Sequence, residues 1–378
     1  MQQAFLPYWL ATFYLRNIQP RKFLRWLSHF ADIKHLFDAS KEELLAVGLT
    51  VDQIHDVKHP AWHLVERDIQ WAQQSQRQFI THDSADYPTL LRNIPDAPLL
   101  LSVMGNHAVL SLPQISMVGA RKATPSGLKT ADHFARALVQ SGIAVTSGLA
   151  LGIDGASHRG ALAANGVTIA VAGTGLQHIY PSSHRSLAAE IVEKGGAIVS
   201  EFVLDAPPRA LNFPRRNRVI SGLCMGVLVI EAAIKSGSLI TAKYALEQGR
   251  EVFAVPGSIF NPLSRGCHAL IRQGAKLVEA VADIIDELSA FHAIYNEEAI
   301  VSSPRDMPAD LPPESRELLD QIDYAVTPFD VIVLRTRLTA REVSAILLSL
   351  ELQGCIESVP GGYVKMVTTR KVDKRHYV

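Results

Sequence analysis

Six short β-branched runs alternating with capped amphipathic stretches predict an α/β protein, and the patterns on either side predict a smaller unit at each end. The runs are Gln114 to Gly119, Ile143 to Ser147, Val167 to Val171, Ala197 to Ser200, Gly226 to Ile230 and Glu251 to Val255. Each is apolar almost throughout, and a strand without a polar face needs cover on both sides, so the six read as a parallel sheet between two helical layers. This is a doubly wound, mostly parallel Rossmann-like core, expected over residues 81–290. Residues 1–80 read as a small N-terminal all-α domain. Residues 314–370 read as a C-terminal winged-helix domain, joined to the core by an acidic, proline-containing linker over 291–313.

In the first segment Phe23, Leu24, Trp26, Leu27 and Phe30 recur at helical spacing. A helix, glycine, helix turn around Glu43 to Val57 resembles a helix-hairpin-helix but lacks that motif's second hairpin glycine. In the core, Thr124-Pro125 supplies an N-cap and an N1 proline, Gly142 and Gly166 follow the ends of two helices, and Ser238 is placed to cap the helix running to Gln248. A last short strand, Lys276-Leu-Val278, is expected at the sheet edge. The linker carries Ser302-Ser-Pro304, Pro308 and Pro312-Pro313 with no hydrophobic period. Glu314 to Ile322, Asp330 to Arg335 and Thr339 to Leu352 then read as three helices, the third opened by the capping box Thr339-Ala-Arg-Glu342. A Pro360-Gly361-Gly362 turn joins two strands after them.

A chain of 378 residues with 48% hydrophobic and 20% charged side chains has the means to bury domain-sized cores, which excludes a disordered or acidic solvating chain. The apolar run Ala4 to Leu15 follows two glutamines and stops at Arg16, short of the ~20 residues of a membrane helix, so neither a signal peptide nor a membrane span is expected. Cys224, Cys267 and Cys355 are far apart with no CxxC pair, which argues against a disulfide framework or a cysteine metal site and for a reducing cytoplasm. Lys and Arg number 37, as do Asp and Glu, yet the charge is segregated. Residues 278–330 hold 13 acidic side chains against Arg305 and Arg316 alone, while residues 105–277 hold 17 Lys and Arg against 9 Asp and Glu, a net +8. A neutral chain therefore carries a basic core suited to a polyanion.

In a doubly wound sheet the parallel strands deliver their C-terminal residues to one edge, where ligands sit. Those ends are Gly119-Ala-Arg121, Ser147-Gly148, Gly173-Thr-Gly175, Ser200-Glu201, Glu231 with Lys235-Ser-Gly-Ser238, and Pro256-Gly257-Ser258. Small residues let amides approach a ligand, helices opening at Pro125 and Ser238 aim positive dipole ends at the crevice, and Arg121, Lys235 and Arg215-Arg216-Asn217-Arg218 add fixed donors. The set fits several phosphates, more than one nucleotide carries. Phe202 and Phe213 flank the basic run, either as stacking faces for bases or as packing for the loop. No GxGxxG follows the first strand and no GxxxxGK[ST] occurs, which disfavours dinucleotide redox chemistry and P-loop hydrolysis. The acid–base candidates are Asp154 and His158, four apart on one helix, with Glu201 and Glu231. Such a pair is more often a helix-face contact than a couple, and no nucleophile elbow or metal cluster accompanies it, so no catalytic residue, cofactor or metal is assigned.

The segments Val118-Gly-Ala-Arg121, Ser147-Gly-Leu-Ala-Leu-Gly-Ile-Asp154, Gly173-Thr-Gly-Leu176, Asn212-Phe-Pro-Arg-Arg-Asn-Arg218, Ser236-Gly-Ser-Leu-Ile-Thr241 and Val255-Pro-Gly-Ser258 resemble, in order and spacing, the DNA-processing protein A family, also called DprA/Smf. The likeness covers roughly residues 85–285. It implies single-stranded DNA binding, protection of incoming DNA during natural transformation, and loading of RecA recombinase onto DNA coated with single-strand binding protein. Carried over position by position, it places DNA contacts at Arg121, Ser147, Gly148, Arg216, Asn217, Lys235, Ser236, Gly237 and Ser238, to which the strand-end reading adds Gly119 and Arg215. It also favours a homodimer through the end of the core, with His268, Leu270, Ile271 and Leu277 at the interface. The sequence departs from the family at Leu151, where many members have arginine, and at His268, where asparagine is common.

Two other classes compete. A Rossmann-like hydrolase acting on a nucleoside monophosphate shares the architecture, but its Pro-Gly-Gly-x-Gly-Thr loop is absent. A duplex regulator reading through the helix Thr339 to Leu352 is short of donors, since Arg341 stands against Glu342 and Glu351.

Overall fold

The structure, a computed structural model, describes residues 2–288, 312–322, 327–336, 338–352, 355–359 and 361–365. Residues 291–311 of the expected linker, and Pro360 of the expected turn, lie outside the described residues. The chain divides into two units, Met1–Ala293 and Ile294–Val378.

The first unit opens with helices α1 (Gln2–Ala11), α2 (Pro20–Leu27), α3 (Ile33–Asp38), α4 (Lys41–Ala46), α5 (Val51–Lys58) and α6 (Trp62–Ala72). Trp9, Phe23, Trp26, Leu36 and Leu44 fill their common core, which extends onto Leu99 and Leu100 of the following sheet region. At the turn that resembles a helix-hairpin-helix, Ser40 and Glu43 form one capping box and Thr50 and Gln53 another. The amides at both helix starts are thus engaged by the chain's own side chains.

A single nine-stranded sheet follows: β1 (Arg77–Thr81), β2 (Leu100–Gly105), β3 (Gln114–Val118), β4 (Ala144–Ser147), β5 (Thr168–Val171), β6 (Ala197–Ser200), β7 (Gly226–Val229), β8 (Glu251–Ala254) and β9 (Lys276–Leu277). Their order is β1-β2-β6-β5-β4-β3-β7-β8-β9. The six expected strands form within one residue of their expected bounds, and β3 to β7 are buried along their whole length as two-sided cover requires. β9 takes the edge beside β8. The first two strands were not anticipated: β1 pairs antiparallel with β2, and β2 antiparallel with β6. Antiparallel neighbours need no crossover helix, so the strand-helix alternation that reveals the rest is absent from them.

The helices between strands are α7 (Thr89–Arg92), α8 (Pro125–Gln140), α9 (Ile153–Ala163), α10 (Arg185–Glu193), α11 (Asn212–Leu223), α12 (Gly237–Glu247) and α13 (Arg265–Arg272), with α14 over 281–288. One face of the sheet packs α11, α12 and α13 through Val219, Ile220, Leu223, Ala242, Ala245 and Leu270. The other packs α8, α9 and α14 through Phe134, Leu138, Ile153, Val281 and Ile284. Thr124 caps α8 by accepting from the Gly127 amide, as expected. The cap of α12 is Ser236 instead of Ser238: the Ser236 hydroxyl accepts from the Ser238 amide, and the helix begins at Gly237.

In the second unit α15 (Pro313–Leu319), α16 (Phe329–Arg335) and α17 (Ala340–Leu352) precede a hairpin of β10 (Ile356–Val359) and β11 (Gly362–Lys365). Leu318, Ile322, Ile332, Leu347 and Leu350 form their core. Thr339 and Glu342 make the expected capping box, and three helices with a hairpin complete the winged-helix plan.

Strand order reverses at β3, whose neighbours are β4 on one side and β7 on the other. The chain steps outward from it in both directions, which opens a crevice beyond the carboxyl ends of β3 and β7. Gly152 holds α9 against this crevice at φ +77°, and a Cβ there would lie 2.2 Å from the Ala120 carbonyl oxygen and 2.7 Å from that of Arg121. Gly152→Ala is expected to cost about 2–4 kcal/mol by combining left-handed strain with a backbone clash. Urea unfolding measures it, and a loss below about 0.5 kcal/mol would remove the constraint.

Candidate nucleic-acid interface

The reversal of strand order walls a cleft of about 580 Å³. Gly119 and Arg121 enter it from the end of β3, Phe213, Arg216 and Asn217 from α11, and Ser236, Gly237 and Ser238 from the start of α12. Tyr180 and the loop residues Pro208 and Ala210 complete the wall. These last three were not among the expected contacts; the Tyr180-Pro181 pair and the proline-rich Pro207-Pro208 that follows β6 were the available signals.

Arg216 is the buried charge of the cleft, only 4% exposed. Its Nη1 donates to the Gly148 carbonyl at 2.6 Å and to that of Val171, and its Nε to Asn217 Oδ1 at 3.2 Å. Nη2 has no acceptor among the described residues. Burial pushes the Arg216 guanidinium down to about 10, against the pull of the neighbouring Asp154 carboxylate, while Arg121 adds to the depression. The guanidinium lies 5.9 Å from the centre of the Phe213 ring, and that of Arg121 5.4 Å from it. Phe213 thus carries two cations, with Tyr180 tilted against it at 5.6 Å. Arg121 itself is exposed.

The other expected residues lie nearby in different roles. Ser147 is buried behind the cleft and donates to the Met117 carbonyl at 2.6 Å. Gly148 lies beneath the guanidinium, where a Cβ would come within 2.7 Å of both Arg216 Nη2 and Asp154 Oδ2. Lys235 is exposed on the loop before α12 and has no ion-pair partner among the described residues. Arg215 points away into a neighbouring cleft, paired with Glu201 at 3.2 Å and lying 5.5 Å from the centre of the Phe202 ring. Phe202 is buried, packs the loop and lines the neighbouring cleft instead of this one. Leu151, 47% exposed, sits at the rim beside Arg121 and Tyr180 and presents apolar surface there. His268 binds Gly257 through Nε2, 3.0 Å from its carbonyl oxygen, and so ties the loop after β8 to α13. Leu270 is buried in the chain's own core, Ile271 is half-buried, and Leu277 on β9 is 43% exposed.

One expectation about the electrostatics is corrected. The N-terminus of α8 is not open to a ligand, because Glu231 accepts from the Thr124 amide at 2.9 Å and the Thr124 hydroxyl at 2.6 Å. Its positive dipole end is already answered by a carboxylate. The remaining acid–base candidates are engaged as well. Glu201 is held by Arg215 and Arg218. Asp154 accepts from the Gly148 amide at 3.1 Å, and burial raises its carboxyl above the ordinary range. His158 Nδ1 lies 2.7 Å from Thr168 Oγ1, and burial pushes the imidazole down to about 3. Among the described residues no group of three His, Cys, Asp or Glu gathers to hold a metal.

A family model described as DNA recombination-mediator protein A matches residues 78–289, more than half of the chain. The chain belongs to that family. Its matched span takes in β2 and nearly all of β1, the strands that the sequence alternation missed. A second model, the DprA winged helix domain, matches residues 302–362. Protein Smf of Escherichia coli is 46% identical over 325 residues, covering 85% of this chain and 86% of that protein. The DNA processing protein DprA of Streptococcus pneumoniae is 45% identical over 201 residues, 53% of this chain and 71% of that one. Its X-ray structure matches with a TM-score of 0.65 and 33% identity, over 74% of this chain and 97% of that chain. A DNA processing protein A structure from Helicobacter pylori, reported for its single-stranded DNA binding mode, matches with a TM-score of 0.51 and 28% identity, over 56% of this chain and 96% of that chain. The family read from the motifs is therefore the one the chain belongs to.

Stability is expected to follow the two buried groups in opposite directions. His158, with a folded pKa near 3 against about 6.5 unfolded, contributes stability that is complete above pH 6.5 and is lost as pH falls toward 3. Asp154, raised in the folded state, gains as pH falls through its folded value. His158→Gln isolates the first: melting temperature compared at pH 7 and pH 4.5 should fall less in the variant than in the parent chain. Equal losses would exclude His158 as the source.

Proposed function

We propose that this chain binds single-stranded DNA in the switch-point cleft without sequence selectivity, shields it, and loads a RecA recombinase onto it where single-strand binding protein is present. The observation that carries the reading is the Arg121, Phe213 and Arg216 stack beside the α12 N-terminus. It offers fixed cations and amides to phosphates and an aromatic edge to bases, without a donor set suited to base identity. The H. pylori relative, described by its single-stranded DNA binding mode, supports the same ligand. The recombinase and single-strand binding protein steps rest on the family likeness. Activity is non-enzymatic in this reading, and its setting is the cytoplasm. No helix among the described residues is long and apolar enough to cross a membrane.

The engagement of Glu201 Oε2 by two arginines and of Glu231 by Thr124 gives both carboxylates structural partners, which weighs against the nucleoside-monophosphate hydrolase. Affinities for single strands, duplex and AMP, measured side by side, test the choice. Arg121→Ala and Lys235→Ala should each weaken single-strand binding to a similar extent across sequences and lower the log–log salt slope by about 0.7 per lost phosphate contact. A loss confined to particular sequences, or tighter binding of AMP than of any strand, would contradict the assignment.

The dimer belongs to the same proposal. β9 ends the sheet, and Ile271 and the exposed Leu277 present apolar surface beside it, whereas Leu270 supports the surface from within. Pairing two clefts would let one strand engage both, raising affinity through effective concentration. Ile271→Glu and Leu277→Glu are expected to give folded monomers that bind long strands more weakly than the parent. Light scattering reads the mass; folded variants that remain dimeric would place the interface elsewhere.

A further inference from the structure

A second cleft, of about 660 Å³, lies within the same unit between the N-terminal helices and the loop after β6. Its walls come from Phe13, Ile18 and Pro20 on one side and Phe202 and Pro207 on the other. Neither the expected contacts nor the proposed function uses it. Residues 207–216 form a ridge between it and the switch-point cleft and divide between the two: Pro207, Arg209, Asn212 and Arg215 line the second cleft, Pro208, Ala210, Phe213 and Arg216 the first. Leu211 stands on the crest between them, 86% exposed.

The charge of the second cleft is positive once its internal pairs are counted. Its carboxylates are Glu201 and Asp205; the first is held by Arg215 and Arg218, the second by Arg67 at 2.9 Å. Arg209 is exposed and has no ion-pair partner among the described residues. Glu201 Oε1 and Arg218 Nη1 are both buried without a hydrogen-bond partner, so that pair is left to complete itself and asks nothing of a ligand. An uncompensated arginine together with apolar walls suits a nucleotide unit, with phosphate at Arg209 and base against the walls.

We infer that the second cleft is a continuation of the single-strand path, reached by crossing the ridge over Leu211, so that one strand occupies both clefts of a protomer. This rests on the single-strand reading of the first cleft. Adjacency favours a strand over a free nucleotide or a peptide, because the single stretch 207–216 contributes side chains to both clefts, and a polymer with a charge on every unit can reach Arg209 from the first cleft.

The test uses the full chain and oligothymidylates of about 4 to about 20 nucleotides, a span bracketing known single-strand site sizes. Arg209→Gln should leave the shortest strands bound as before and weaken the longer ones by about fivefold, the upper range for an exposed charge contact, with the salt slope lowered by about 0.7. In parallel, 5-iodouridine in long strands should cross-link to residues 12–20 or 201–207. Equal weakening at every length would assign Arg209 to the first cleft and overturn the inference. So would unchanged binding at every length, or cross-links confined to 208–217 and 236–241. Failure of the parent chain to bind any strand would instead remove the proposed function, and this inference with it.

Discussion

A guanidinium with almost no access to water has to be held by the chain that buries it, and in this protein that requirement organises the ligand edge of the sheet. Arg216 binds the carbonyl oxygens of Gly148 and Val171, which stand at the ends of β4 and β5. It thereby fixes α11 across two strand ends and sets the separation of the loops that follow them. Gly148 has to be glycine for the side chain to pass, and Asp154 has to be near for the charge to persist. Loss of either partner would leave a buried ion only partly compensated, a fault of several kcal/mol in proteins generally.

From that fixed point the exposed groups acquire their geometry. The Phe213 ring lies 5.9 Å from the Arg216 guanidinium and 5.4 Å from that of Arg121, so the exposed arginine is presented on a ring that the buried one also contacts. Asn217 is bonded to Arg216 Nε and also reaches the carbonyl of Gly237 at the start of α12. The β3 turn, α11 and the α12 start are consequently one connected surface, joined through Phe213, Arg216 and Asn217. The N-terminal helices join the same system through Arg67 and Asp205, which anchor the loop leading into α11.

Much of this was legible in the sequence because parallel strands buried on both faces announce themselves: Gly226 to Ile230 has no other plausible environment. That Gly119, Arg121, Ser236, Gly237 and Ser238 meet at one cleft followed from topology alone. What escaped notice lacked such a signature. Arg77 to Thr81 has one buried residue, Ile80, and reads as surface chain. The roles of Arg215 and Arg216 are indistinguishable in sequence, since adjacent residues on a helix point about 100° apart and only the packed sheet shows which one is swallowed. Ser147 looked like a ligand group because its position at a strand end is right, yet its hydroxyl turns inward to a carbonyl of the adjacent strand. Patterns locate the edge of a site; the direction of each side chain at that edge is decided by three-dimensional packing.

Glu231 gives the cleft a selectivity of another kind. In a doubly wound fold the first helix after the central strand is where a compact pyrophosphate would be drawn by dipole and free amides. Here the protein has installed its own anion at that spot, hydrogen-bonded to Thr124 and braced by Asn261. A compact pyrophosphate at the α8 start would therefore meet a carboxylate where it needs free amides. A ligand whose charges are spread along a chain loses little by skipping a single seat.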